Sequence, residues 1–411
     1  MTSETLEIIK DCRISKSKIL TKVLDLGMQP LANSLKKKQF DEEDKYPLTL
    51  SFCEESSLLQ LNETIKKEQL FNNYVWVTST SSTAKKYAKI FYEDIVQNIK
   101  LDKSSDLIIE IASNDGTFLK PFINNGFKKV LGIDPARNIC QIAKNNNVKT
   151  INEYWSEDLA KEIIANQGNA KLVFARNVIP HVSELFSVVS GVEKILDDEG
   201  IGVFEIHDAN IIFNELHYDS VYHEHLCYFT LKSITYLLNK FNLYPFDIKR
   251  SPISGGSFVV YFSKKKISIS KNLEKAIANE ENSKINELSS WQNFAFRVQE
   301  HKNRTHEILS NFKKEKIIGF GSSARSQTFL NYCKINNKNF ELIIDNNSLK
   351  HNQYSPGSNI RIVNFDQGMK TNPDVIFILA WNFKNEIINQ CRSAGFNGKF
   401  IVPFPNKPEI I

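Results

Sequence analysis

Short apolar runs separated by helix-length segments set the pattern of the middle of the chain. Asp106-Leu107-Ile108-Ile109-Glu110-Ile111 is a nearly continuous apolar stretch with an acid near its end, and Lys129-Val130-Leu131-Gly132-Ile133-Asp134 is a second. Runs of this kind fit strands buried on both faces. A shorter run lies at 148–151, and two more at 172–175 and 202–206. Ahead of the first strand, 81–99 places Ala88, Phe91 and Ile95 at helical spacing. The β-α-β-α rhythm predicts a parallel, doubly wound sheet.

The flanks read differently. Residues 272–314 contain no Gly or Pro, and Ile285, Leu288, Trp291, Phe294, Ala295 and Val298 follow helical spacing, which predicts one long connecting helix. Beyond it, strands are expected at 316–319, 340–344, 375–379 and 399–402, a second Rossmann-like layer. The first 80 residues are short-segmented and too few to carry a large core of their own. The expected organisation is α/β, with a small N-terminal module (1–80), a Rossmann-like domain (81–266) and a second Rossmann-like domain (267–411).

Composition narrows the function classes. The chain has 411 residues, 41% hydrophobic and 24% charged, the mix of an ordinary globular protein. The net charge is 52 − 47 = +5, with lysines spread among acids and no basic stripe, so no nucleic-acid partner is expected. No apolar run approaches about 18 residues, and the N-terminus lacks a signal-type apolar core. A cytoplasmic protein with no membrane partner is expected, a monomer or weak homo-oligomer. The cysteines (Cys12, Cys53, Cys140, Cys227, Cys333, Cys391) are scattered without a CxxC pair, which fits free thiols.

The sharpest local signal is Glu110-Ile111-Ala112-Ser113-Asn114-Asp115-Gly116-Thr117. A buried strand runs into a small-residue turn and then a helix, the place where doubly wound sheets hold ligands. Asp134 closes the next strand, roughly 20 residues on, where a carboxylate can accept from ribose hydroxyls. The turn lacks the glycine density of GxGxxG, so a nucleoside without phosphates fits better than a dinucleotide. S-adenosylmethionine is such a ligand. Glu110, Ala112, Asn114, Asp115, Gly116 and Asp134 are its candidate contacts, with Asn177 after the fourth strand.

The densest reactive cluster is Tyr222-His223-Glu224-His225, with His181 also near a strand end. Imidazoles beside a phenol and a carboxylate can move a proton near neutral pH. A metal site and a structural polar loop are the competing readings, and the spacing is not HExxH because position 227 is Cys.

In collinear order, Gln29-Pro30-Leu31-Ala32-Asn33, the Glu110 to Thr117 turn, Ala175 to His181 and the Tyr-His-Glu-His tetrad resemble the sugar C-methyltransferases of deoxysugar pathways. Gly319-Phe320-Gly321, Asn331-Tyr332-Cys333, Ser355-Pro356-Gly357 and Ala380-Trp381-Asn382-Phe383 extend that resemblance to nearly the whole chain. It implies an N-terminal zinc-binding module, a methyltransferase domain and a C-terminal domain that helps hold a nucleotide-linked keto-deoxysugar. It also implies methyl transfer beside a ketone, with His225 as base and Tyr222, Glu224 and His181 near the sugar. Trp76, Ser257, Gly321, Arg325 and Asn382 are the candidate substrate contacts.

Departures matter. Each CxxC pair of the family has become Cys-Ser here, Cys12 with Ser15 and Cys53 with Ser56, so tight zinc is not expected. Trp76 stands where a tyrosine is usual, and Val259 where an arginine is. The alternatives are an NAD-dependent dehydrogenase using Gly319 to Arg325 with Asp345, a sugar O-methyltransferase, and a silent scaffold.

Overall fold

The computed structural model describes residues 5–71, 76–251 and 256–411. Tyr74 and Val75, just before Trp76, and Ser254 and Gly255, just before Ser257, lie outside them.

The middle of the chain forms a seven-stranded sheet. Its order is Tyr244–Ser251, Ser257–Ser263, Leu196–His207, Ala170–Arg176, Leu107–Ile111, Lys129–Ile133 and Thr150–Ile151. The five strands from Leu196–His207 onward are parallel, and the first two run antiparallel to their neighbours. The sheet is therefore mixed rather than wholly parallel. All of Leu107–Ile111 is buried, which accounts for its unbroken apolar run. Strand order reverses between Leu107–Ile111 and Ala170–Arg176, so a crevice opens beyond their carboxyl ends.

A second sheet runs Arg361–Val363, Leu342–Ile344, Ile317–Phe320, Val375–Ile378, Lys399–Val402 and Glu409–Ile410, antiparallel only at the last strand. This is the second Rossmann-like layer. The polar segment between the sheets is not one helix but two, Lys271–Ser283 and Leu288–Ser310. Lys284 ends the first in a left-handed conformation (φ 57°). A non-glycine residue adopts this at a cost of ~1–2 kcal/mol, and burial on both sides offsets it. Leu273 enters the core beneath the first sheet, while Ile285, Trp291, Phe294 and Val298 enter that of the second. No Gly or Pro marks the break, so the spacing did not reveal it.

Thr21–Pro30, Lys45–Cys53 and Leu58–Leu61 form an antiparallel sheet completed by Cys227–Tyr228 from the middle of the chain. Its apolar face, including Leu24, Leu50 and Leu61, shares one core with Trp291 and Phe329. The module borrows its core, as its length requires.

Behind this sheet the Cys-Ser pairs cross-bond. Cys12 Sγ lies 3.2 Å from Ser56 Oγ, and Ser15 Oγ lies 3.5 Å from Cys53 Sγ. Hydrogen bonds from Cys12 and both serines push the Cys53 thiol down to about 5. Two hydroxyls that stay protonated at neutral pH do not fit a structural zinc site. Among the described residues, no helix is long and apolar enough to cross a membrane.

Candidate active site

The strand Leu107–Ile111 delivers the chain into a turn that only small or polar residues tolerate. Ala112 (φ 54°), Asn114 (φ 51°) and Gly116 (φ 79°) are all left-handed there. A Cβ on Gly116 would stand 2.5 Å from Val148 Cγ2, so glycine is required by space as well as by φ. Asp134 straps the turn: its carboxylate accepts from the Asn114 and Ala136 N–H groups, both at 2.9 Å. Asn114 in turn accepts from the Thr78 N–H and donates to the Trp76 carbonyl, fastening 76–78 over the turn.

Around this turn lies a cavity of about 490 Å³, within the range of small-ligand sites. Its lining includes Glu110, Ala112, Asn114, Asp134 and Asn177, together with Trp76, His181, Tyr222, His225, Arg325 and Asn382. The two sheets thus contribute to one cavity.

Several sequence-picked residues do not line it. Asp115 is fully buried and accepts from the Ser79 N–H and from Thr117, holding the turn from behind. Gly116 packs on Val148. Ser257 donates to Asn177 Oδ1 at 3.4 Å and so supports a lining residue. Gly321 faces Ala380.

The tetrad divides into an outer pair and an inner pair that face different ways. Tyr222 and His225 face the cavity. His223 Nε2 donates to the Pro47 carbonyl at 3.0 Å, and Glu224 Oε1 accepts from Asn33 Nδ2 at 2.6 Å. Both therefore hold the N-terminal module. Glu224 neither lines the cavity nor bonds His225, so it does not stand near the sugar as the resemblance implied, and the tetrad does not converge on one metal position. Burial pushes the Glu224 carboxyl up to about 7.

His225 is oriented by backbone instead. Its Nδ1 lies 2.8 Å from the Ser220 carbonyl. A carbonyl can only accept, so Nδ1 carries the proton and Nε2 the lone pair. Tyr222 Oη, 2.8 Å from Nε2, must then be the donor to it. Burial, with His181 next to it, holds the imidazole well below its ordinary range, so it is neutral. The His181 ring stands edge-on to His225 with centroids 4.7 Å apart.

Among the described residues, four side-chain atoms of cavity-lining residues are buried without a protein partner: Glu110 Oε2, Ser113 Oγ, His181 Nδ1 and His207 Nε2. Burial keeps polar atoms paired as a rule, so these are positions a polar ligand would satisfy. Desolvation, then the nearby Asp115, Asp134 and Glu205, raise the Glu110 carboxyl well above its ordinary value, and Arg176 opposes them. Arg176 is shared, because its Nε donates to Glu205 at 2.8 Å while its guanidinium lies over the Phe118 ring. A lining with an unpaired carboxyl and Asp134 fits the ammonium, sulfonium and ribose of S-adenosylmethionine. Sequence reasoning missed His207 and the Ser220 carbonyl. The first had only its histidine identity as a signal, and the second had none, being backbone.

Residues 84–246 match a "Methyltransferase domain", 252–405 a "C-methyltransferase C-terminal domain" and 12–71 a "Putative zinc binding domain". Among solved structures, magnesium protoporphyrin IX methyltransferase of Synechocystis is 11% identical (TM-score 0.34, 44% of this chain, 79% of that one). A methyltransferase of Anabaena variabilis is 16% identical (TM-score 0.34, 43% and 84%). The C-methyltransferase NovU of Streptomyces niveus is 28% identical over 410 residues, 98% of this chain and 97% of that protein. The family matches follow one another along nearly the whole chain, and together with that full-length relative they support an S-adenosylmethionine-dependent methyltransferase of the C-methyltransferase kind.

Proposed function

We propose that the protein methylates a carbon next to the ketone of a nucleotide-linked keto-deoxysugar, with His225 as the base. The observation that carries this reading is the neutral, cavity-lining His225, whose Nδ1–H is held by the Ser220 carbonyl and whose Nε2 lone pair accepts from Tyr222, itself a lining residue. A C–H beside a ketone is removed only by a positioned base while the oxygen gains charge.

Glu110, Asp134 and Asn177 would hold S-adenosylmethionine, which supplies an electrophilic methyl group when bound. His225 Nε2 takes the proton from the sugar carbon. Tyr222, now donating to Nε2, turns its O–H to the ketone oxygen, which frees the base and stabilises the enolate oxygen in one motion. Arg325 and Asn382, from the second Rossmann-like domain, line the same cavity and would contact the sugar nucleotide. The nucleotide-sugar class rests on the family resemblance and on this two-domain lining.

The rival use of the Gly321 turn for a dinucleotide is disfavoured. Asp345 accepts from the Ser322 N–H at 2.7 Å and the Asn347 N–H at 2.8 Å, much as Asp134 does from its own turn, but Lys350 also reaches its carboxylate at 3.3 Å and occupies it. Lys350 also donates to the Ser322 carbonyl, closing the turn.

The test incubates the protein with S-adenosylmethionine and a panel of keto-sugar nucleotides in D2O, read by mass. Gain of one CH2 is expected, with deuterium exchange at the same carbon. His225→Asn should bind S-adenosylmethionine normally and lose both. Unchanged exchange in that variant overturns the base assignment. Methyl gain only on sugars without a ketone moves the target to oxygen.

A further inference from the structure

The acceptor that fixes the His225 tautomer sits in a segment gripped by the other domain. Ser220 lies in the turn Tyr218–Ser220. On one side of it, Asp219 is 1% exposed and takes a two-pronged pair from Arg325, Nε at 3.0 Å and Nη2 at 2.8 Å. Trp381 Nε1 donates to the same carboxylate at 2.9 Å, and the Arg325 guanidinium lies over the Trp381 ring. On the other side, Thr328 Oγ1 donates to the Val221 carbonyl at 2.9 Å. Arg325 and Thr328 belong to the first helix of the second Rossmann-like layer, Ala324–Tyr332. Between these anchors the Ser220 carbonyl accepts from His225 Nδ1 at 2.8 Å and from the Tyr228 hydroxyl at 3.3 Å.

We propose that Asp219, clamped by Arg325 and Trp381, is a positioning residue that sets the tautomer of His225 through the Ser220 carbonyl. The C-terminal domain thereby prepares the base as well as lining the cavity. The proposal rests on the reading of His225 as base only for its catalytic consequence.

The chemistry runs through one peptide plane. Side-chain pairs on Asp219 and a hydrogen bond on Val221 fix the chain on both sides of Ser220, so its carbonyl points one way. Only the Nδ1–H tautomer suits that acceptor, because the other tautomer would set the Nδ1 lone pair against the carbonyl oxygen. Nε2 is left with the lone pair that abstraction needs. If the clamp is cut, the plane is left to the turn bond from the Val221 N–H to the Tyr218 carbonyl (3.0 Å) and to the Tyr228 hydroxyl, and its carbonyl selects Nδ1–H less strictly. The Nε2–H form, bonded to a Tyr222 turned acceptor, then becomes populated and cannot accept a proton at Nε2. A charge-assisted, bidentate pair is the kind of contact that holds a segment to one geometry.

The experiment labels the full-length protein with 15N-histidine and reads ring-nitrogen protonation by long-range 1H–15N correlation near neutral pH. The His225 signals are identified by their loss in His225→Asn. In the wild-type protein a protonated Nδ1 and an unprotonated Nε2 are expected. Asp219→Asn should give a mixture of tautomers, with S-adenosylmethionine bound as in wild type by calorimetry. Methyl transfer should slow by on the order of 10- to 100-fold, less than the ~10²–10⁴-fold a general base supplies in full. Trp381→Phe, which removes one hydrogen bond, should shift the tautomers the same way by less, and it carries the test if Asp219→Asn does not fold. A folded Asp219→Asn that keeps the single Nδ1–H form overturns the proposal, as does an unshifted Trp381→Phe when that variant alone folds. Mixed tautomers with unchanged methyl transfer uphold the clamp and remove His225 as base, so the two readings fail separately.

Discussion

Glu110 gives the most direct test of the cofactor end. Its side chain is 3% exposed, and one of its oxygens has no protein partner. Burial, and then three neighbouring acids against the opposing Arg176, hold the carboxyl well above its ordinary value, so the free protein keeps its proton to a higher pH than a free carboxyl does. A ligand that brings cationic donors favours the carboxylate. Binding should therefore expel a proton, and affinity should rise with pH up to the raised value, by at most about tenfold per pH unit. Glu110→Gln keeps the shape and one acceptor but removes the charge. A hydrogen bond to a charged group contributes ~1.5–3 kcal/mol. At 1.4 kcal/mol per decade, S-adenosylmethionine should bind about 10- to 150-fold more weakly to the variant. Calorimetry in two buffers of different ionisation enthalpy measures both the affinity and the proton count. Affinity flat between about pH 6 and 8, no proton released, and a variant within about threefold of wild type would refute the reasoning.

Other expectations follow from single contacts. Gly116→Ala forces a Cβ to within 2.5 Å of Val148 Cγ2 at φ 79°; it should cost about 1–3 kcal/mol, seen as a lower Tm in thermal unfolding, and should weaken cofactor binding. His301 is buried between Tyr218 Oη and the Pro403 carbonyl, and burial lowers it to about 4. The unfolded chain therefore takes up a proton below about pH 6.5 that the folded chain refuses, so this residue's contribution is full above about 6.5 and is lost as pH falls toward about 4. That amounts to about 3 kcal/mol, and denaturant unfolding that shows no loss of stability over this window contradicts it. Dialysed protein should hold well under one zinc per chain by elemental analysis, because Ser15 and Ser56 replace two thiolates; stoichiometric zinc would overturn that reading.

What was legible in the sequence was whatever burial writes into local pattern. Leu107–Ile111 is buried at every position, so its apolar run named it a strand. The turn after it was legible because left-handed Ala112, Asn114 and Gly116 leave room only for small or polar residues. The strands Tyr244–Ser251 and Ser257–Ser263 went unread. The first is half-exposed at an edge with no clean alternation, and the second entered the reading only through Ser257 and Val259. The break at Lys284 went unread because a lysine in a left-handed position carries no compositional mark.

The tetrad shows a sharper limit. Four adjacent reactive side chains read as one cluster, yet His223 and Glu224 anchor Pro47 and Asn33 while Tyr222 and His225 face the cavity. Nearness in sequence gave no direction, and in a loop without regular period it cannot. The group that orients His225 is a carbonyl, present at every residue and invisible to any motif. What fixes that carbonyl, the pair between Asp219 and Arg325, joins positions 106 residues apart, one in the turn Tyr218–Ser220 and the other in the helix Ala324–Tyr332. Chemistry-bearing residues are therefore readable from sequence, while the contacts that set their protonation and direction arise only when the two domains close on one another.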